Sequence, residues 1–363
     1  MSFSTILIIK WKINKFIIKK HIQAILETSI SKYIISEMIG HGATCTVYKG
    51  YAFNDNLKNL VAIKIFNEAN KKYFDKEILI HSFLPSEEFL QIYTCGDGCI
   101  HIEKNCSEKE NNYSLKTIYS LEKYNNKKIY YIIEELAEYG ELFNYVYELK
   151  GGFSEKISAI IFSKILKKLK ALHDNRIVHC DIKPENVIIG NNFNIKLIDF
   201  GFCEILGKED NYIYEYKGSE VYSAPEVRNR NNNVYGYDGI KSDIFSIDVL
   251  LFVITVGCFP FENCCYSDRK YRLIMNKKYE DYWCYFQQFN LSKEFKDLIE
   301  HLICYDPSER FSIDEIFQHS FIKNNINENN NNYLKNDNNN DNDIEVVEEL
   351  MKRKEIIDAK KIL

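Results

Sequence analysis

Residues 179–186 read HCDIKPEN and hold three side chains suited to moving a phosphoryl group. Asp181 can accept a proton from an attacking hydroxyl, Lys183 can neutralise the transferred group, and Asn186 offers a side-chain oxygen to a metal. Thirteen residues beyond Asn186, Asp199 ends the strand-like run IKLIDF and begins DFG, where a carboxylate is a hard oxygen ligand suited to Mg²⁺. Far upstream, IGHGATCTVYKG places Gly40 and Gly42 between two expected strands, where backbone N–H groups could approach phosphate oxygens closely. Two glycines at a hairpin are by themselves only a turn. Here VAIK follows, with Lys64 on a strand, and then a helix-like stretch carrying Glu77. That order would hold the lysine against Glu77 and aim it at the α- and β-phosphates.

These residues need elements to position them. From Tyr33 to Phe66 the pattern is β: KYIISEMI, TVYKGYAF and LVAIKIF are rich in β-branched and aromatic residues, with NDNLKN as a turn. NEANKKYFDKEILIHSFL reads as a helix, a polar insert runs from about 103 to 126, and KKIYYIIEEL reads as a strand. The rest is mainly helical. Ile157, Ile160, Ile161, Ile165 and Leu169 recur at helical spacing, and DIFSIDVLLFVITVG is apolar enough to lie inside a lobe. SKEFKDLIEHLI and SIDEIFQHSFI are amphipathic.

Residues 1–32 form a basic, apolar N-terminal extension, read as loosely ordered or as an extra strand in preference to a membrane-surface segment. Within it KWKIN, at 10–14, alternates as a half-buried strand would. Residues 323–343 are an Asn-rich linker too polar to fold alone, and 344–363 are a short helix-like tail. Asp337, Asn339, Asp341, Ile344 and Glu348 fall at calcium-loop positions, but Asn342 stands where the loop wants glycine, so calcium sensing is set aside.

The chain has 363 residues, enough for about two domain-sized lobes. A net charge of -5 gives no reason to expect nucleic acid as a partner. No run reaches the ~20 apolar residues of a membrane span. The 11 cysteines include no CxxC pair, so the thiols read as reduced and the protein as cytoplasmic, with access to the nucleus open. Cys95, Cys99, His101 and Cys106 match no common zinc module and are taken as incidental residues of a strand and turn.

The ordered set GxG, VAIK, a helix glutamate, HxDxKxxN, DFG and APE (Ala224, Pro225, Glu226) resembles the eukaryotic protein kinases from about Tyr33 to Ile322. DIKPEN resembles the Ser/Thr type. EYGELFNYV and DPSERFSIDEIFQHSFI are most similar to the calcium/calmodulin-dependent branch. The resemblance implies an α+β, two-lobed protein-kinase fold, with a small antiparallel β-rich N-lobe at about 33–135, a larger mainly helical C-lobe at about 136–322, and ATP in the cleft between. It implies ATP and Mg²⁺ as cofactors and protein substrates as partners. Lys64, Glu77, Asp181, Lys183, Asn186 and Asp199 would be catalytic, with Asn186 and Asp199 on the metal. Ile39, Gly40, Gly42, Val47, Ala62, Lys64, Glu135, Glu141 and Ile188 would bind the nucleotide, with Glu141 on the ribose. Glu141 and Glu185 would favour a basic residue upstream of the target hydroxyl. Asp243 would brace the catalytic loop, Glu226 would pair with Arg310, and Ser219 stands where the family usually has threonine.

Four residues depart from the family. Cys180 replaces the arginine that commonly grips a phosphorylated activation segment, and a thiol cannot form that pair. This implies activity without activation-segment phosphorylation. Cys45 replaces the third loop glycine, Glu134 replaces an apolar residue behind the adenine, and His81 replaces an aliphatic one. The alternative reading is a pseudokinase scaffold or nucleotide switch. Calmodulin binding by the tail is left open.

Overall fold

The computed structural model describes residues 22–55, 57–85, 89–104, 115–149, 151–190, 194–208, 210–228, 236–326 and 341–362. The chain divides into two compact units, one made of 1–79 with 90–136 and the other of 80–89 with 137–363.

The first unit is a closed antiparallel sheet. Its strands are β1 (Ile22–Thr28), β2 (Lys32–His41), β3 (Thr46–Ala52), β4 (Val61–Phe66), β5 (Ile92–Lys104) and β6 (Lys128–Glu135), in the order β1-β2-β3-β4-β6-β5. Helix α1 (Lys71–His81) follows β4, and helix α2 (Leu115–Glu122) precedes β6. Inward-facing Ala24, Leu26, Ile35, Tyr48, Ile63, Ile65, Ile100 and Ile133 form the core, as period-two alternation requires. β1 closes the sheet by pairing with both β2 and β5, which removes the two open edges. The approach is close: a Cβ at Gly98 would stand 2.5 Å from the Glu27 carbonyl oxygen. So residues 22–28 of the extension form a strand, whereas KWKIN lies outside the described residues. The stretch read only as a polar insert carries α2, and Leu121 and Tyr124 beside it join the barrel core. The Tyr124 hydroxyl meets Thr46 Oγ1 at 3.1 Å, and Thr46 meets His41 Nδ1 at 3.0 Å.

Cys95, Cys99 and His101 lie on β5, and Cys106 is outside the described residues. The His101 ring faces Glu27 at 3.3 Å and Asn126 at 3.0 Å.

The second unit begins with β7 (Gly140–Glu141), α3 (Leu142–Tyr147) and α4 (Glu155–Asp174). Short strands β8 (Ile177–Val178), β9 (Val187–Ile189), β10 (Ile195–Leu197), β11 (Glu204–Ile205) and β12 (Tyr212–Ile213) frame the motif loops. Then come α5 (Pro225–Arg228), β13 (Tyr237–Asp238), α6 (Gly239–Val256), α7 (Arg269–Met275), α8 (Tyr279–Trp283), α9 (Lys293–Leu302), α10 (Ile313–Gln318), α11 (Ser320–Asn325) and α12 (Asp341–Ile362). Capping sets the helix bounds. Ser154 begins α4 by accepting from Ile157 N–H, and Ser312 and Glu315 form a reciprocal capping box on α10. Asp238 caps α6 at one end, and Gly257, at φ +80, ends it in the left-handed conformation. From Ser242 to Val256 every residue of α6 is buried, the polar Asp243, Ser246, Asp248 and Thr255 among its apolar neighbours.

α12 packs on this unit through buried Val346, Leu350 and Ile357. Arg353 donates to the carbonyls of Tyr145, Gly151 and Gly152 and lies 4.0 Å over the Phe153 ring.

Asp248, midway along α6, is fully buried, and neither carboxylate oxygen has a hydrogen-bond partner among the described residues. Burial pushes its carboxyl well above the usual range, and the Arg310 charge offsets this only in part. With a folded value above the unfolded one, its stabilising contribution is complete below about pH 4 and is lost as pH rises toward the folded value. Asp248→Asn, which cannot ionise, therefore stabilises by about 1–3 kcal/mol at pH 8, and by less at pH 5. Thermal unfolding at the two pH values checks this. An equal change at both would mean that ionisation is not the cause.

Candidate active site

In the first unit, β-register brings the expected residues to one end of the sheet. Gly40 pairs with Val47, Val47 with Lys64, and Ala62 with both Lys49 and Glu134. Ile39 and Gly40 lie on β2, Gly42 N–H donates to the Cys45 carbonyl to close the hairpin at 3.0 Å, and Glu135 ends β6. Lys64 and Glu77 are both buried and form a direct ion pair. A second carboxylate, Glu134, has its Oε1 3.8 Å from the same ammonium. The acid that departs from the family thus lies within ion-pair reach of the Lys64 ammonium.

In the second unit, the loop between β8 and β9 gathers Asp181, Lys183 and Asn186. Lys183 Nζ donates to Asp181 Oδ2 at 2.7 Å and to Ser219 Oγ at 2.8 Å. Ser219 Oγ donates to Asp181 Oδ1 at 2.7 Å, and Asn186 Nδ2 reaches Oδ2 at 3.0 Å and the Asp181 carbonyl at 2.7 Å. Burial alone would raise the Asp181 carboxyl, but the Lys183 ammonium and the Ser219 hydroxyl outweigh it and hold the group below the usual carboxylate range. Ser219 thus bonds both Asp181 and Lys183.

The loop is braced from α6. Asp243 accepts from His179 N–H at 2.8 Å and Cys180 N–H at 2.9 Å, and faces His173 Nε2 at 3.0 Å. Cys180 itself is left-handed, at φ +64. His179 Nδ1 accepts from Asp181 N–H at 3.3 Å, so Nε2 carries the proton and donates to the Ile198 carbonyl at 3.2 Å. Ile198 N–H donates to the Asn186 carbonyl at 2.9 Å, which ties the segment bearing Asp199 to the catalytic loop. Asp199 is left-handed, at φ +66, and accepts from Gly201 N–H. Phe200 packs edge-on against His81, Phe89 and His179 at 5.0, 5.8 and 5.8 Å. His81 thus supplies an aromatic edge where an aliphatic contact was expected.

Asn186 and Asp199 fit a hard divalent cation: the Asn186 amide nitrogen is engaged by Asp181, which leaves its oxygen as the donor, and Asp199 offers a carboxylate. Glu141 on β7 pairs with Ile188 on β9. Burial and the neighbouring Glu185 raise the Glu141 carboxyl, with Lys183 opposing. Burial also raises Glu185, whose Oε2 is buried without a hydrogen-bond partner among the described residues.

Farther out, Arg310 and Glu226 form a bidentate pair at 2.6 and 2.8 Å. Sequence reasoning missed a second ion pair. Lys217, two residues before Ser219, is bound directly to Glu204 on β11. The vacated arginine position at Cys180 was the only hint that something else must hold this segment.

An antiparallel sheet followed by a mainly helical unit, with Lys64 bound to Glu77 and the Asp181–Lys183–Asn186 loop braced by Asp243, is the architecture of a protein kinase. The protein kinase domain model matches residues 33–322, and the chain belongs to that family. A probable serine/threonine-protein kinase of Dictyostelium discoideum is 28% identical over 307 residues, covering 83% of this chain and 32% of that protein. The serine/threonine-protein kinase kin-29 of Caenorhabditis elegans is 34% identical over 192 residues, covering 53% of this chain and 22% of that protein. CBL-interacting protein kinase 11 of Oryza sativa subsp. japonica is 30% identical over 297 residues, covering 79% and 50%. The chain thus spans no more than half the length of these relatives. Among the described residues no helix is long and apolar enough to cross a membrane.

Proposed function

We propose that the chain is a Ser/Thr protein kinase that transfers the ATP γ-phosphoryl group to a protein hydroxyl. The observation that carries this reading is the Asp181 carboxylate, held ionised by Lys183 and Ser219 within a loop fixed by Asp243. Asp181 orients the hydroxyl and takes its proton, and Lys183 balances the charge that develops on the transferred group. In the first unit, Lys64, held by Glu77, serves the α- and β-phosphates. Gly40 and Gly42 present backbone N–H groups, and Ile39, Val47, Ala62 and Glu135 serve the base. In the second unit, Glu141 serves the ribose, Ile188 the base, and Asn186 and Asp199 the metal. Mg²⁺, when bound, neutralises phosphate charge. The buried, unpartnered Glu185 Oε2 beside Glu141 supports a preference for a basic residue upstream of the target, because a guanidinium would satisfy both acids.

EYGELFNYV and DPSERFSIDEIFQHSFI support a place near the calcium/calmodulin-dependent branch. Because α12 has its apolar face on the second unit, a partner of the calmodulin type would first have to peel it away. None of the described cysteines is joined in a disulfide, in keeping with a reducing cytoplasm.

The test is transfer from labelled ATP with Mg²⁺ to a peptide library. Labelling concentrated on Ser/Thr peptides with upstream basic residues is expected. Nucleotide binding with no labelled peptide would overturn the reading in favour of a scaffold.

A further inference from the structure

The activation segment lacks the arginine partner at Cys180, yet its C-terminal part is tightly placed. Lys217 is largely buried and bound directly to Glu204, with Glu215 3.5 Å away on its exposed side. Burial alone would lower the Lys217 ammonium, but its bond to Glu204 outweighs this and raises it. Glu204 is itself fixed, because it pairs across β11 with Val178 on β8, the residue immediately before the catalytic loop.

The next two residues transmit this anchor. Gly218, at φ +89, lies so close to the catalytic loop that a Cβ would stand 2.2 Å from the Cys180 carbonyl oxygen. Ser219 then donates to Asp181 and accepts from Lys183. A two-residue span reaches no more than ~7 Å, so a shift of Lys217 must be felt at the Ser219 hydroxyl.

We infer that Lys217 and Glu204 form a phosphate-free clamp, with the cation on the C-terminal part of the activation segment and the anion on β11 at its start, where β11 is paired with β8, and that the clamp positions Ser219 on the catalytic Asp181. It replaces the pairing that Cys180 cannot make. Lys217 is a positioning residue, since it touches neither of the reacting groups. The clamp rests on the kinase reading for its consequence but not for its geometry.

The test uses full-length protein, treated with phosphatase and verified by mass spectrometry. Lys217→Met is expected to lower kcat for peptide phosphorylation at least about tenfold, the scale on which small misplacements act. The KM for ATP stays within about twofold, because Lys217 acts on Ser219 and Asp181 through the chain. Lys217→Arg, which keeps the charge, retains most of the activity. Amide hydrogen exchange across 212–222 is faster in Lys217→Met and Glu204→Gln than in wild type. Wild-type kcat together with unchanged exchange in Lys217→Met would overturn the clamp, as would equal damage from Lys217→Arg. If wild type itself transfers nothing, the kinase reading fails, and the exchange rates still decide the clamp.

Discussion

Asp181→Asn is expected to lower kcat by about 10²–10⁴-fold, the range of a positioned general base, with the KM for ATP little changed. The two side chains match in shape, so the loss is chemical. Asp181 is nearly fully buried and still ionised, because Lys183, Ser219 and Asn186 all serve its carboxylate. An amide there cannot take the hydroxyl proton, and it sets its own N–H groups against donors. Lys183 loses its anionic partner as well. Steady-state kinetics, with thermal unfolding alongside to show that the variant folds, gives the answer. An Asp181→Asn protein as active as wild type would remove Asp181 from the chemistry.

Glu226→Ala is expected to cost about 3–5 kcal/mol of stability, because it leaves a buried charge without its counter-ion. The Arg310 side chain is 0% exposed. Its guanidinium donates twice to Glu226, at 2.6 and 2.8 Å, and also to the carbonyls of Cys304 and Lys241. The carbonyls satisfy hydrogen bonds but not the charge. Adding Arg310→Met should recover much of the loss, since the pair is then replaced by apolar surface over the Phe245 ring. Urea unfolding of the single and double variants measures both. A single variant within 1 kcal/mol of wild type would mean that solvent reaches the guanidinium.

The site was legible where chemistry and spacing are local. HCDIKPEN, DFG and VAIK each hold their candidate residues within a few positions, and Glu77 follows Lys64 on the next helix, so side chains and supporting elements could be read together. Ser219 was legible because it keeps its place after DFG. Elements whose support lies far along the chain were not. The stretch around Cys95 to His101 was read as a strand, but not its thirteen-residue length or its pairing with β1, because Gly96 and Gly98 break the apolar alternation that marks a strand's extent. α12 was read as a helix-like tail, but its docking was not legible, because Arg353 finds its carbonyl partners in residues some two hundred positions earlier. Lys217 and Glu204 are thirteen residues apart in a loop without periodicity, so no pattern joins them. His81 was read as a departure from an aliphatic position, whereas its ring edge packs on Phe200 as an apolar side chain would.

In the function we propose, Asp181, Lys183 and Asn186 suffice for transfer and the activation segment is held without phosphate. The most direct measurement is peptide phosphorylation by wild-type protein whose activation segment is shown by mass spectrometry to carry no phosphate. A turnover within about 1–100 s⁻¹, unchanged after phosphatase treatment, is the result predicted. Transfer that is absent from the unphosphorylated protein and appears only once Ser or Tyr in 202–223 is modified would contradict it.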